Sequence, residues 1–404
     1  MSKPQVLVMF GATGDLFSRK LLPSLVRLHA EGLLGDVRVI GTGRHAPDDG
    51  WTDELRQAAT DSVPDAIEDA VDPVVDRISF VVSSADDGDD LARAVAEAED
   101  ELGGSDRLLY LSVPPTAMVD LLGMLGRTGL ADGARIVVEK PYGLDAESGR
   151  ALDEALHAVV PEDRVYRIDH FLGSAAVDDL AALTPDGVQQ VQVDVPETLG
   201  LEGRAGFYES TGCLRDMVVT HLAQLVGVIA AEHADGDRWR EARAEVFAAM
   251  AALRQDETVL GQYEGYTDED DVDDDSTVDT FAATTFHVQE GPWADVPFVV
   301  RTGKNLAVNR SVVTVRHVDG SERVVDVDAA EQGQALDPYA RLLADVAAGD
   351  PRRFVRGDHA EQLWRVVGPL LDADHDPAQY APGSWGPEAA DALPGPGGWS
   401  LARG

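Results

Sequence analysis

The sequence predicts two domains of different build: α/β, a doubly wound parallel sheet, and then α+β, a mainly antiparallel sheet with helices. Three observations carry this. The chain has 404 residues, beyond the size at which a single core keeps growing. Up to residue 168, short apolar runs alternate with segments of helical periodicity, the pattern of parallel strands joined by crossover helices. Beyond it, strand-like runs follow one another without intervening helices. The division is expected at 1–168 and 169–404.

The elements follow in order. QVLVMF (5–10) is a short apolar run ended by glycine and reads as a buried strand. GATGDLF follows, then SRKLLPSLVRLHAEGLL with helical spacing. VRVIGTGR (37–44) and ISFVV (78–82) read as strands, and 52–72 and 89–102 as helices. RLLYLSVPP (107–115) is a strand stopped by two prolines. A helix over MVDLLGMLGRTGL, a strand at ARIVVEKPYG (134–143) and a helix over ESGRALDEALHAVV continue the alternation. After RVYRIDHF (164–171) the pattern changes. VQQVQVDV (188–195) alternates like a half-exposed strand. A long helical region is expected over about 212–254, then the strands TVDTFAATTFHV, PFVVRTG, SVVTVRHV and ERVVDVDA. Helices are expected at 338–348 and 358–372, and a glycine- and proline-rich irregular tail at 382–404.

Charge restricts the partners. Asp and Glu number 73 against 33 Lys and Arg, a net of −40. Such a chain repels nucleic acid. The acid is spread along the sequence, with one dense run at Asp268–Asp275. It reads as a solvated surface suited to a high-salt cytoplasm, where screening removes self-repulsion. No run of about 18 consecutive apolar residues marks a membrane span. The N-terminus passes straight into a strand without a signal-peptide pattern, so a cytoplasmic location is expected. The single Cys213 fits a reducing compartment. Only four lysines occur: Lys3, Lys20, Lys140 and Lys304. A chain that otherwise uses arginine keeps lysine where a compact ammonium is needed.

Gly11, Ala12, Thr13, Gly14, Asp15 and Leu16 lie between a strand and a helix. There a glycine turn lets backbone approach a pyrophosphate at the helix N-terminus, as in Rossmann-like domains. The spacing is GxxG rather than GxGxxG, so the strand–turn–helix context carries the reading. The second strand ends in Gly41-Thr42-Gly43-Arg44-His45. An arginine fork at that position pairs a 2′-phosphate, where an acid would bind a free ribose hydroxyl. NADP is therefore favoured over NAD. No metal site is expected.

His221 lies in LRDMVVTHLAQL, where helical spacing puts Leu214, Met217 and Leu225 on its face. That setting fits a satisfied core histidine as well as a catalytic base. Asp169, in RIDHFLG, is a carboxylate that could fix its tautomer. If that segment is extended, Asp169 and His170 point to opposite sides.

At these residues the sequence resembles the glucose-6-phosphate dehydrogenase family. The matching stretches are GATGDLFSRKLLPSL, VVEKPYG, RIDHFLG, GLEGRAGFYE, RDMVVTHLAQL, VPFVVRTGKNL, DPYARLLADV and GSWGPEAAD, in family order over nearly the whole chain. The resemblance implies that His221 is the base that takes the proton from the sugar C1 hydroxyl, and Asp169 the carboxylate that orients it. Hydride then passes from C1 to the nicotinamide, giving a lactone. Glu197 and Asp216 match groups that bind sugar hydroxyls. Lys20 and Lys304 match substrate-site lysines, and His170 a ligand of the substrate phosphate. Lys140, in Glu139-Lys140-Pro141, matches the segment between coenzyme and substrate, and Ser112 joins the coenzyme set. A small-molecule sugar phosphate and a homodimer or homotetramer are the implied partners.

The departures concern one chemical group. The family reads RIDHYLGKE where this chain reads RIDHFLGSA. Phe171 replaces a tyrosine, Ser174 a phosphate-binding lysine and Ala175 a glutamate; Asn309 stands at a second basic position, with Arg310 adjacent. Charge-assisted hydrogen bonds of this kind are worth about 1.5–3 kcal/mol each. Either nearby arginines such as Arg310 compensate, or the substrate is an unphosphorylated or otherwise substituted hexose. A catalytically silent nucleotide-binding homologue is the third reading. Val219-Thr220 stands where the family has QN before its base. The segments after RIDHFLG and between Arg316 and Asp337 are abbreviated, and the latter belongs to the sheet that builds the family's subunit interface.

Overall fold

The computed structural model describes residues 3–201, 203, 205–231, 238–373 and 375–403. The chain divides into two compact units. The first comprises Met1–Gly143, Glu147–Gly173 and Gly333–Gly357; the second comprises Leu144–Ala146, Ser174–Gln332 and Asp358–Gly404. Against a single break at 168/169, the chain therefore returns to the first unit at Gly333.

The first unit is built on six parallel strands: β1 Gln5–Phe10, β2 Val37–Gly43, β3 Ile78–Val82, β4 Asp106–Leu111, β5 Arg135–Glu139 and β6 Val165–Ile168. Their order is β3-β2-β1-β4-β5-β6, that of a doubly wound sheet. Parallel strands covered on both faces read as unbroken apolar runs, and QVLVMF is buried at every position. One core layer gathers Leu7, Met9, Phe17, Leu25, Tyr110, Tyr166 and Phe354. The expected helix over 52–72 breaks after Ser62, because Val63 precedes Pro64 and turns extended. Helix Pro338–Ala348 has clear local causes. Asp337 caps it by accepting from Ala340 N (2.8 Å), proline opens it and Gly349 closes it at φ 76°.

The second unit holds a seven-stranded mixed sheet: β7 Val188–Pro196, β8 Thr258–Tyr263, β9 Phe281–Phe286, β10 Phe298–Gly303, β11 Val312–His317, β12 Glu322–Asp326 and β13 Ala378–Tyr380. The order is β12-β11-β7-β10-β9-β8-β13. β7/β10 and β8/β13 are parallel and the other pairings antiparallel, so the sheet is mainly, not wholly, antiparallel. β8 and β13 were not anticipated. β7 is a correction too: only Gln189 is exposed along it. Its other polar positions meet the tail instead of water. Gln190 donates to Pro394 O (3.2 Å), Gln192 donates to Gly398 O (3.2 Å), and Gln192 Oε1 accepts from Ser400 N (2.9 Å).

The expected helix over 212–254 is also corrected. Ala205–Cys213 is kinked at Gly212 (φ 65°), Leu214–Leu222 winds as a π-helix, Ala223–Ala230 is α-helical, and Arg238–Ala249 is a separate helix. Tyr208–Ala230 is long and apolar enough to cross a membrane by length and composition, with mean hydropathy 1.4, but 89% of the window is buried inside the protein. That is the character of a core helix.

Candidate active site

β1 and β4 are neighbours, with Phe10 opposite Leu111, and the sheet reverses direction of winding between them. Ligands of open α/β sheets bind outside the strand ends at this switch. Gly11 and Ser112 emerge there side by side. Gly11 N and Ala12 N donate to Thr42 O (3.0 and 3.4 Å), which ties the turn to the end of β2. Gly11 has φ 79°, and a Cβ on it would lie 2.1 Å from Ser112 O. Only glycine fits both the conformation and the approach. Gly14 N closes the turn on Gly11 O (2.9 Å). Thr13, Gly14 and Asp15 are exposed, Leu16 is half-buried, and Phe17–Leu21 opens the helix with a π-turn that carries the exposed Lys20. The arrangement leaves backbone rather than side chain facing the switch, which suits a pyrophosphate. Arg44 follows β2, is exposed, and has no hydrogen-bonding partner among the described residues.

Glu139 ends β5 and Ile168 ends β6, and the two are paired in register. Lys140 and Asp169 therefore leave adjacent strand ends. The segment does not stay extended at Asp169-His170, so the condition for their pointing to opposite sides is not met: His170–Gly173 is a 3-10 turn, and Asp169 Oδ1 accepts from Phe171 N (3.0 Å). Aspartate closing such a turn offers the backbone an alternative to continued strand. Asp169 is buried and His170 half-buried. The His170 ring stacks on Tyr339, centroids 6.0 Å apart and 7° between planes. Arg341, two residues on, donates to Gly173 O (3.3 Å).

Three groups here were missed. Tyr110, on β4, donates to the Glu139 carboxylate. Desolvation pushes Glu139 up to about 7; the Tyr110 hydrogen bond and the Lys140 charge oppose the rise and the Asp169 charge adds to it. Burial likewise raises the Tyr339 phenol, with Glu139 and Asp169 adding their negative charge. The sequence signals were slight: a tyrosine in an apolar strand, the acid before Lys140-Pro141, and a tyrosine after a helix-opening proline.

In the second unit β7 and β10 run parallel with Gly303 opposite Pro196, so Glu197 and Lys304 leave adjacent strand ends. They form an ion pair, and Glu197 N donates to Gly303 O (3.0 Å). Lys304 is buried, its Nζ 5.9 Å from the centre of the Tyr208 ring. Asp216 and His221 share the π-helical turn. Its i→i+5 hydrogen bonding brings positions five apart nearer to one face than α-helical winding would. The expected single apolar stripe around His221 is thereby corrected, since Met217–Leu222 are all buried. His221 is 1% exposed and Asp216 half-buried; Thr220 donates to Asp216 O (2.5 Å).

The substituted positions are engaged locally. Ser174 Oγ accepts from Ala176 N (3.1 Å), and the Phe171 ring meets His170 edge-on at 5.0 Å. Arg310 is paired with Asp326, and Asn309 is exposed.

The first unit thus has the strand order and the glycine switch of a dinucleotide-binding dehydrogenase. Comparison with known proteins narrows the class. A model of the glucose-6-phosphate dehydrogenase NAD-binding domain matches residues 8–179, and one of the C-terminal domain of the same enzymes matches 182–334 and 321–399. A glucose-6-phosphate 1-dehydrogenase 1 of Mycobacterium tuberculosis is 33% identical over 446 residues, covering 96% of this chain and 94% of that protein. A glucose-6-phosphate 1-dehydrogenase of Zymomonas mobilis is 30% identical, covering 96% of each. Among solved structures, that of glucose-6-phosphate 1-dehydrogenase from Mycobacterium avium superposes with a TM-score of 0.87 at 31% identity over 99% of both chains. The structure of a glucose-6-phosphate dehydrogenase in complex with glucose 6-phosphate gives 0.84 at 25% identity over 96% of both. The chain belongs to the glucose-6-phosphate dehydrogenase family, and is an oxidoreductase acting on a CH–OH group.

Proposed function

We propose that this chain oxidises D-glucose 6-phosphate at C1 to 6-phosphogluconolactone, feeding an oxidative pentose phosphate route. The observation that carries the reading is likeness over 96% of both chains to a structure in complex with that sugar phosphate. His221 takes the C1 hydroxyl proton and Asp169 orients its ring. Glu197, Asp216, Lys20 and Lys304 hold the sugar, and His170 faces the phosphate. The Glu197–Lys304 ion pair supports a built polar site, since an enclosed ammonium needs a counter-charge whether or not substrate is present.

The coenzyme lies across Gly11–Leu16, Arg44, Ser112 and Lys140. The Gly11 cradle, which any Cβ would fill, fits its pyrophosphate. Bound coenzyme supplies the acceptor for the C1 hydride. Arg44, exposed and without a hydrogen-bonding partner among the described residues, favours NADP over NAD. The 1–168 segment binds coenzyme and contributes Lys20 to the sugar, and 169–404 supplies the other substrate groups and performs proton transfer. A cytoplasmic homodimer or homotetramer completes the reading, and the net charge of −40 supports an acidic, salt-adapted surface.

The test is NADPH formation by the purified protein in high salt, with glucose 6-phosphate and glucose at matched concentrations. A kcat/KM at least a hundredfold higher, roughly, for the phosphate ester is expected, the size of a few charge-assisted contacts. Equal or better turnover of the free sugar would sink the phosphorylated substrate and assign Phe171, Ser174 and Asn309 to a changed specificity.

A further inference from the structure

Asp279 precedes β9 and is not among the residues assigned to the reaction. Its backbone oxygen accepts from Cys213 N (2.7 Å), and its Oδ2 accepts from Leu214 N (2.6 Å). These are the first amides of the turn that carries Asp216 and His221. An acid at a helix start satisfies amides that have no partner within the helix and sets the entry of the chain. Gly212, just before, has φ 65°, and a Cβ on it would lie 2.6 Å from Asp279 Oδ1. Glycine there lets the carboxylate close on the kink.

The next residue ties a second element. Thr280 O accepts from Lys304 N (2.9 Å), and Tyr380 OH lies 3.0 Å from Thr280 Oγ1 and donates to Lys304 O (2.7 Å). One dipeptide thus holds the turn of His221 and the loop of Lys304.

We propose that Asp279 is a positioning residue: its cap on Cys213 and Leu214 sets the placement of His221 and Asp216, and Thr280 beside it sets Lys304. The inference rests on the catalytic reading of His221. Burial raises Asp279 to about 6, against the Leu214 hydrogen bond and the charges of Arg215 and His375. Tyr208, Cys213, Tyr266 and Tyr380 also feel its charge. Below about pH 6 the cap therefore loses its charge and weakens.

Asp279→Ala and Asp279→Asn test this. Turnover is counted per coenzyme-binding site, so that misfolded protein drops out. Asp279→Ala should lower kcat roughly 10- to 100-fold, the cost of a small misplacement of a reacting group, with coenzyme Kd unchanged. Asn keeps an acceptor for Leu214 and should lose only a fewfold at pH 8, while its ratio of kcat at pH 8 to that at pH 6 falls below the wild-type ratio. A merely structural role would lower Tm and leave kcat per site and the pH ratio alone; that result overturns the proposal. If Asp279→Ala does not fold, Asp279→Asn decides through amide exchange. Faster exchange at Leu214, whose charged acceptor becomes a neutral one, with β7 and β10 unchanged, supports the cap, and unchanged exchange there removes it. Exchange needs no substrate, so failure of wild-type turnover overturns the catalytic reading and not the cap.

Discussion

A Cβ at position 11 would stand 2.1 Å from the carbonyl oxygen of Ser112. No side chain fits that gap, and φ 79° already disfavours one. Gly11→Ala must push the ends of β1 and β4 apart where the coenzyme pyrophosphate is proposed to lie. Strain of this kind costs about 1–3 kcal/mol. The expected outcome is a lowered Tm and at least about tenfold weaker NADPH binding, read by nucleotide fluorescence. Unchanged binding would move the coenzyme away from this turn.

Arg44 offers a sharper discrimination. It stands exposed after β2, and its guanidinium has no other hydrogen-bonding task among the described residues. Arg44→Ala should weaken NADP by roughly 10- to 100-fold, the size of one bidentate charged contact, and leave NAD nearly unchanged. Equal losses for the two coenzymes would remove the 2′-phosphate from Arg44.

What was legible in the sequence had a local cause. The glycine turn demands its residue types by backbone geometry, and the helix at Pro338 carries its cap, its proline and its closing glycine within thirteen residues. What was not legible is made by distant partners. β7 alternates like an exposed strand, yet Gln190 and Gln192 are satisfied by Pro394, Gly398 and Ser400, over two hundred positions away in sequence. β8 contains Gly261, where a Cβ would meet Pro387 Cγ at 2.6 Å; its glycine answers the tail, and strand propensity suffers for it. Glu139 looked like a neighbour of Lys140 and became a titrating group only through enclosure beside Tyr110. The π-winding at His221 erased the stripe that α-helical spacing suggested.

Glu139 gives a prediction with a definite sign. Its folded pKa, about 7, lies above its ordinary value of 4.5. A raised pKa favours the protonated form in the folded state. The associated stability is therefore complete below about pH 4.5 and is lost as pH rises through 7. The full swing is on the order of 3 kcal/mol. Glu139→Gln keeps the shape and an acceptor for the Tyr110 hydroxyl without the charge. Relative to wild type it should gain stability between about pH 5 and pH 8, measured by urea unfolding at each pH. A difference that does not change with pH would place the Glu139 carboxyl in ordinary contact with water.

The tail makes its own claim. The guanidinium carbon of Arg301 lies 4.2 Å from the Trp399 ring and 5.0 Å from that of Trp385. Its Nε donates to Asp194 (2.7 Å), while Nη1 and Nη2 have no hydrogen-bonding partner among the described residues. A buried cation so placed depends on the aromatic faces. Trp399 is 3% exposed, and its indole donates to Ala390 O (3.0 Å). Trp399→Ala removes a ring face from the Arg301 guanidinium and opens that part of β10 to water. It should cost about 3–5 kcal/mol, seen as a lower urea midpoint, and Trp399→Phe should recover much of it. Equal losses in both variants would assign the stability to the indole hydrogen bond.

The net charge of −40 against 404 residues makes the last prediction one of medium. Most of the excess acid is exposed, and the run Asp268–Asp275 lies chiefly at the surface. Ion pairs such as Arg56 with Asp53, Asp72 and Asp76 use single arginines against several acids, so repulsion outweighs pairing. Exposed charges repel over a Debye length of about 10 Å at 0.1 M salt and about 3 Å at 1 M. The folded state concentrates the charge and gains more from screening than the expanded chain does. Tm should therefore rise between about 0.1 M and about 2 M KCl. Activity per mole of total protein should rise with it if the fold is partly lost at low salt. Glycerol matched for water activity controls for general compaction. A Tm that falls with KCl, or that rises equally with glycerol, would separate the acidic surface from any adaptation to salt.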